Sequence, residues 1–510
     1  MAEVKLTING QEITASSDDT ILTAAAKNCI TIPTLCFMKD CNQIAACRIC
    51  VVEVTGRRGV VPSCVTKVAE GMEVQTESER IQKARRITLD MLCKNHRMIC
   101  DQCSRYSDCE FHALCRRYGI SERDYNPYVM DADKDESAPH LVRDTSKCVL
   151  CQRCVAACHE QGMDIIAVFN RGRNKKVAPP LPLAQTGCVG CGQCVAACPT
   201  GALSVKDDTA ELRNIIRQKK KQVVAVVAPG VGEGFAKLFY EKKPEDHLGK
   251  IAAMLCKLGM KRVYPETAAK TALFAAERRE LESRKETGAA LPLISEMSPA
   301  IVNLVEKHYP QLKKNLSGKG TLQAMCAQLA REAYAKESGI PEADILAVYI
   351  SNDLSGKTEK REGLMALTTY ELAAMFRRAC VSRFTAMKVW REQLADEPLD
   401  SLAGEFPDSL AGTLPADNLS ADTVLADTVS VNVLPADTAS ANPGKEGIRL
   451  TADDVSGNAI SLYGLANVRA MLDKVTEGAC PADYIYAQPY IDERIQGGAP
   501  RYTSADSLER

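Results

Sequence analysis

Apolar and polar residues alternate along Val4-Lys-Leu-Thr-Ile8 and again from Glu12 to Thr14, with Asn9-Gly10 between them, which predicts a β-hairpin. Ile21, Leu22, Ala24 and Ala25 then recur at helical spacing over 20–28, with Asp18 and Asp19 available as cap residues. A second helical period runs over 81–92 and a third over 207–222, the latter closing on Lys219-Lys-Lys221. Short strands are expected at 202–205 and 345–350, and the unbroken apolar run Val223-Val-Ala-Val-Val-Ala228 predicts a strand buried on both faces. From 396 to 445 the periodicity stops. Imperfect repeats such as Leu414-Pro-Ala-Asp417 and Leu434-Pro-Ala-Asp-Thr438 take over, too short and too poor in aromatics to build a core, which predicts an insertion without fixed structure. The pattern is that of an α+β, multi-domain chain.

Cysteine changes the picture. Nineteen of the 23 cysteines lie in the first 198 residues, so the two parts of the chain follow different chemistry. The formal net charge of −1 argues against a general nucleic-acid binder. The opening Met1-Ala-Glu-Val-Lys-Leu lacks the look of a signal or transit peptide, and no apolar run is long enough to span a bilayer. A cytoplasmic chain is therefore expected, in which clustered thiols are metal ligands rather than disulfides.

The most specific signal is a doubled C-x2-C-x2-C-x3-C spacing: Cys148, Cys151, Cys154 and Cys158, then Cys188, Cys191, Cys194 and Cys198-Pro199. In this arrangement three neighbouring thiolates hold one [4Fe–4S] cube and the fourth reaches to the other. Cys148, Cys151 and Cys154 are thus expected to share a cube with Cys198, and Cys188, Cys191 and Cys194 with Cys158. Upstream, Cys36, Cys47, Cys50 and Cys64 fit a [2Fe–2S] rhomb in which each iron takes two sulfurs. Two glycine-bearing stretches imitate nucleotide sites without matching them: Gly230-Val-Gly232-Glu-Gly234 has the wrong spacing for a dinucleotide fingerprint, and Ser351 to Thr358 lacks the first glycine of a P-loop.

Pro33-Thr-Leu-Cys36, Ala46-Cys47-Arg-Ile-Cys50-Val-Val-Glu53 and Ser63-Cys64 resemble the β-grasp ferredoxin domain at the start of the NADH dehydrogenase large iron–sulfur subunit and of [FeFe] hydrogenases. In both families a His/Cys3 [4Fe–4S] module follows, and H-x3-C-x2-C-x5-C occurs here as His96, Cys100, Cys103 and Cys109. The resemblance implies these four as ligands and leaves out Cys29, Cys41, Cys93, Cys115 and the other five histidines. Farther on, Pro292-Leu-Ile-Ser-Glu-Met-Ser-Pro299, Leu367-Thr-Thr-Tyr-Glu-Leu-Ala373 and Leu462-Tyr-Gly-Leu-Ala-Asn467 resemble the catalytic domain of [FeFe] hydrogenases. Where that family has T-S-C-C-P this chain has Met297-Ser298-Pro299, and where it has M-P-C-T-A-K-K this chain runs from Ser351 through Asp353 to Lys357. The third ligand loop, C-P-G-G-C in the family, corresponds to Tyr490-Ile-Asp-Glu-Arg494.

The resemblance implies a [2Fe–2S] ferredoxin at 1–80, the His/Cys3 module at 81–125, a bacterial-type 2[4Fe–4S] ferredoxin at 126–205 and a degenerate α/β hydrogenase-like domain at 206–510. It implies no H-cluster and no catalytic residue in this chain. What it implies instead is an electron-transfer subunit of an anaerobic, flavin-based electron-bifurcating complex. Flavin and NAD(H) would sit on a partner iron–sulfur subunit, beside a small thioredoxin-like [2Fe–2S] subunit, ferredoxin and a terminal [NiFe] hydrogenase or formate dehydrogenase, in a higher oligomer. A redox-sensing protein, or a hydrogenase with atypical ligands, are the other readings.

Overall fold

The computed structural model describes residues 2–106, 108–125, 132–238, 247–379, 459–480 and 482–488. The insertion at 396–445 and the third ligand loop at 490–494 lie outside the described residues. Two compact units form, one from residues 1–188 and 193–206, the other from 189–192 and the described residues from 207 onward.

The first unit begins with strands β1 (Glu3–Ile8) and β2 (Gln11–Ser16), helix α1 (Ile21–Lys27), and strands β3 (Val51–Val54), β4 (Val60–Pro62) and β5 (Met72–Gln75). They make a five-stranded sheet in the order β2-β1-β5-β3-β4, with β1 and β5 parallel and the other pairs antiparallel. Leu6, Ile8, Ile13, Val52 and Val74 close against Ile21 and Leu22 of α1. The α1 cap differs from the expectation: Thr20 accepts from the Thr23 amide, while Asp19 binds Lys27 instead. A threonine next to the first helical residue has the shorter reach to that amide.

Helices α2 (Glu79–Lys94) and α3 (Glu110–Arg117) follow, then β6 (Lys134–Asp135), β7 (Leu141–Asp144), α4 (Arg153–Glu160), the hairpin β8 (Ala167–Phe169) and β9 (Lys176–Ala178), α5 (Gln193–Ala197) and β10 (Leu203–Val205). The last of these pairs with β7, and β7 with β6. Leu35, Ile49, Leu89, Phe111, Val149 and Cys151 share one buried cluster, so all three cysteine-rich stretches are packed on a common core. Each such aliphatic side chain contributes about 1.5–3 kcal/mol on burial.

The second unit contains α6 (Thr209–Gln218), β11 (Gln222–Val227), α7 (Gly230–Leu238), α8 (His247–Lys257), β12 (Val263–Pro265), α9 (Thr267–Thr287), β13 (Leu293–Ile294), α10 (Pro299–His308), α11 (Leu322–Ser338), β14 (Ile345–Ser351), β15 (Leu364–Thr368), α12 (Thr369–Arg378), β16 (Ala459–Tyr463), α13 (Leu465–Thr476) and β17 (Tyr484–Gln488). A parallel sheet runs β12-β11-β14-β15 and a second, also parallel, runs β13-β17-β16. The continuous apolar run of β11 is explained by its two faces. Val223, Ala225 and Val227 enter one core with α7, α8 and α12, whereas Val224 and Val226 enter the other with α9 and α11. Gly230 opens α7 because a Cβ there would lie 2.9 Å from Asn352 Nδ2, and Gly232 and Gly234 are helical, not a phosphate loop. Among the described residues no helix is long and apolar enough to cross a membrane.

Candidate cluster sites

Cys36, Cys47, Cys50 and Cys64 are all buried. The structure brings them together as two hydrogen-bonded pairs, Cys36 with Cys47 and Cys50 with Cys64. In each pair one thiol is held low by the proton its partner keeps, at about 6 for Cys36 and about 7 for Cys50. Two pairs of sulfurs match the two-plus-two demand of a [2Fe–2S] rhomb.

His96 is 6% exposed, with its ring edge-on to Phe111 at 5.0 Å. Its Nδ1 is buried with no hydrogen-bond partner among the described residues. Burial pushes the His96 pKa down to about 4, so the imidazole is neutral and can donate a lone pair. An orphaned buried ring nitrogen is costly unless something binds it, which fits a ligand role for His96. Cys109 caps α3 and accepts from the His112 amide at 3.4 Å. Cys93 and Cys115 face each other instead, with sulfurs 3.5 Å apart.

Cys148, Cys151, Cys154 and Cys198, drawn from both halves of the doubled spacing, line one recess, with Ile166 and Val177 in its wall. Burial pushes the thiols of Cys148 and Cys151 up to about 11 and about 12, and Cys154 well above its ordinary value. Thiolates at this depth require a cationic partner, which the iron of a cluster would supply. The loop backbone supports the same fit: Leu150 and Gln152 are held at φ 54° and 60°, and their counterparts in the second half are Gly190 and Gly192 at 82° and 73°. A leucine in the left-handed region costs about 1–2 kcal/mol, and it turns loop amides such as that of Leu150 toward the Cys148 sulfur. The structure leaves Cys158, Cys188, Cys191 and Cys194 half-buried. Cys158 accepts the Ile165 amide at 3.2 Å. Among the described residues no three His, Cys, Asp or Glu side chains converge on a single-ion position; the recess surrounds a volume.

Several residues around these thiols left no mark in the sequence. Asn42 Nδ2 donates to the carbonyls of Cys36 and Cys151 at 2.8 and 3.0 Å. Arg153, buried, donates to both Glu110 oxygens at 2.8 Å and to the Phe37 carbonyl at 3.0 Å. His140 Nε2 lies 3.6 Å from Cys188 Sγ. The one available signal was the alignment of Leu150 and Gln152 with two glycines. Gly201 is similarly placed, since a Cβ there would sit 2.7 Å from Cys103 Sγ. Gly201→Ala is expected to cost about 1–3 kcal/mol through overpacking and to shift the electron paramagnetic resonance signal of the His96 module, checked by thermal melting and spectroscopy of the same sample.

In the second unit the two described loops that correspond to family ligand loops meet. Ser298 caps α10 and its Oγ donates to Asp353 Oδ2 at 3.3 Å and lies 3.4 Å from Ser355 Oγ. Met297 Sδ accepts from Tyr486 at 3.0 Å, and buried Glu277 accepts from Tyr484 and Ser295 at 2.7 and 2.9 Å.

Residues 1–79 match the 2Fe-2S iron-sulfur cluster binding domain, 85–124 the NADH-ubiquinone oxidoreductase-G iron-sulfur binding region and 147–202 the 4Fe-4S dicluster domain. Residues 221–487, more than half of the 510, match the iron only hydrogenase large subunit, C-terminal domain. The chain belongs to the iron-only hydrogenase large-subunit family. Within that family it is 30% identical over 431 residues to the NADP-reducing hydrogenase subunit HndD of Solidesulfovibrio fructosivorans, covering 80% of this chain and 73% of that one. It is 31% identical over 414 residues to iron hydrogenase 1 of Clostridium pasteurianum, covering 78% and 71%. A 170-residue stretch is 36% identical to the NADPH-Fe(3+) oxidoreductase subunit alpha of Geobacter sulfurreducens, covering 33% of this chain and 20% of that one. This member of the iron-only hydrogenase family thus combines ferredoxin-type iron–sulfur domains with the family's α/β domain.

Proposed function

We propose that this chain is a cytoplasmic electron-relay subunit of an NAD(H)-linked, flavin-based electron-bifurcating complex, with no hydrogen-activating site of its own. The observation that carries it is a contrast. Cys36, Cys47, Cys50 and Cys64 form a buried, paired set and Cys148, Cys151, Cys154 and Cys198 line one recess, while Met297 and Ser298, where the family has its proton-relay and cluster-ligand cysteines, and Asp353, on its second ligand loop, are engaged in hydrogen bonds with Tyr486, Asp353 and Ser355. Thiolate is what a low-valent iron cluster requires, and these three offer none.

Cys36, Cys47, Cys50 and Cys64 would hold a [2Fe–2S] cluster; His96, Cys100, Cys103 and Cys109 a [4Fe–4S] cluster; Cys148, Cys151, Cys154 and Cys198 a second; and Cys188, Cys191, Cys194 and Cys158 a third. Such clusters supply one-electron carriers and cannot accept hydride, so the flavin that splits hydride pairs belongs to a partner. The chain's own residues exclude water around the thiols, donate loop amides to sulfur and keep His96 neutral. Partners of this chemistry are a flavin/NAD(H) subunit, a small thioredoxin-like [2Fe–2S] subunit, ferredoxin and a terminal [NiFe] hydrogenase or formate dehydrogenase. The NADP-reducing hydrogenase relative supports a nicotinamide-linked complex.

Anaerobically purified chain is expected to contain about 14 irons (two plus three times four) and to evolve no hydrogen after exposure to hydrogenase maturation factors. Iron near half that value, or hydrogen turnover, would overturn the assignment.

A further inference from the structure

We propose that the β8–β9 hairpin and the proline-rich segment after it form the docking surface for a small acidic electron-carrier protein that exchanges electrons at the Cys148–Cys151–Cys154–Cys198 recess. This deepens the relay reading and rests on it. The hairpin has an inner and an outer part. Ile166 and Val177 are buried in the recess wall, whereas Val168 and Phe169 are 37% and 36% exposed and Leu181 is 53% exposed. Single exposed apolar residues need no explanation, but three in one short stretch at the wall of a cluster recess do. At about 3.3 Å per strand residue, Phe169 lies within about 10 Å of Ile166 along the chain.

Charge selects the occupant. From Ile165 to Gly187 the sequence holds four basic residues, Arg171, Arg173, Lys175 and Lys176, and no acidic one. Of the three acids in the adjoining groove, Asp133 is matched by Arg143 at 3.0 Å, with Lys176 at 3.9 Å, and Glu136 by Lys134, while Asp135 accepts from Ser137 and from the Leu183 amide. Arg171 at the tip is exposed, so the apolar patch carries a positive rim and favours a negatively charged partner. Pro179, Pro180 and Pro182 stiffen the rim and reduce the ordering cost of docking.

The test uses the full chain, purified anaerobically, and stopped-flow reduction by a pre-reduced acidic 2[4Fe–4S] ferredoxin, with reduced methyl viologen as a small cation that needs no docking surface. Arg171→Glu/Lys175→Glu is expected to lower the second-order rate constant for ferredoxin by about tenfold or more at low salt and to flatten its salt dependence. Phe169→Ser/Leu181→Ser should slow ferredoxin while keeping the salt slope. Neither pair should slow viologen or alter the visible spectrum. Wild-type rates and salt slopes in both variants would overturn the docking surface, as would failure of ferredoxin to reduce a chain that viologen reduces. Two other occupants are also tested. If the charge reversal abolishes co-sedimentation with phosphatidylglycerol vesicles, or either variant dissociates a self-associated chain, the surface belongs to a membrane or to a second copy and the assignment falls. If viologen reduces no cluster in the wild-type chain, the relay reading itself fails.

Discussion

Replacing Cys198 by serine is expected to remove the same spectroscopic signal as replacing Cys151, and to leave the signal lost on replacing Cys191. Sequence neighbours would suggest the opposite, since Cys198 is four residues from Cys194 and 47 from Cys151. The fold sets Cys198 in the recess of Cys148, Cys151 and Cys154, where it is 5% exposed. Iron should fall by about four of about fourteen, because a three-thiolate cradle at this depth retains a cube poorly. Stability should fall with it, since the Cys151 and Cys154 thiols lie in the core and metal binding there is coupled to folding. Paramagnetic resonance of the three reduced variants, with iron analysis and thermal melting, checks the pairing. Loss of the Cys191 signal in Cys198→Ser would show that each half holds its own cube.

Lys357→Met is expected to destabilise the second unit by about 3–5 kcal/mol at neutral pH. Lys357 is buried and its Nζ donates to Glu371 at 2.7 Å and to Asp208 at 2.5 Å. Glu371 also closes the capping box of α12 with Thr368. Burial raises the Glu371 pKa above the ordinary carboxylate value, and Lys357 offsets that rise. Removing the lysine raises it further. A carboxyl raised in the folded state supports folding below its unfolded pKa and loses that support as pH climbs through the folded value. The variant's deficit should therefore shrink at mildly acidic pH and be largest at neutral pH and above. Chemical unfolding at a series of pH values, with a probe in the second unit, reads both the size and the sign. A pH-independent deficit would mean that Glu371 is not the residue left uncompensated.

Lys357 also shows what holds the family domain together. The position matches the last lysine of the family loop, and here its ion pairs join Glu371 of α12 to Asp208 just ahead of α6. Positions that hold the fold together remain under the demands of packing, whereas Met297 and Ser298 take up ordinary hydrogen bonds with Tyr486 and Asp353.

Much was legible beforehand because the signals are local. The alternation around Asn9-Gly10 marks β1 and β2, the apolar run at 223–228 marks a strand covered on both faces, and the thiol spacings mark the cluster loops. A period or a thiol spacing is set by residues within one or two turns of each other, so the sequence by itself determined these elements and the iron–sulfur domains they belong to. The cap on α1 falls to Thr20 rather than Asp18 or Asp19 because all three are competent and only backbone geometry selects among them.

Only the tertiary structure decided how the cysteine-rich stretches are joined. Asn42 ties the Cys36 carbonyl to that of Cys151, which lies 109 residues beyond Asn42, Arg153 ties α4 to Glu110 and Phe37, and Leu35, Leu89 and Val149 share one core. It also decided that Leu150 and Gln152 take the left-handed backbone that Gly190 and Gly192 adopt freely. Such contacts form between residues far apart in the chain, and a strained φ persists only where surrounding packing enforces it. Neither leaves a periodic trace in the sequence.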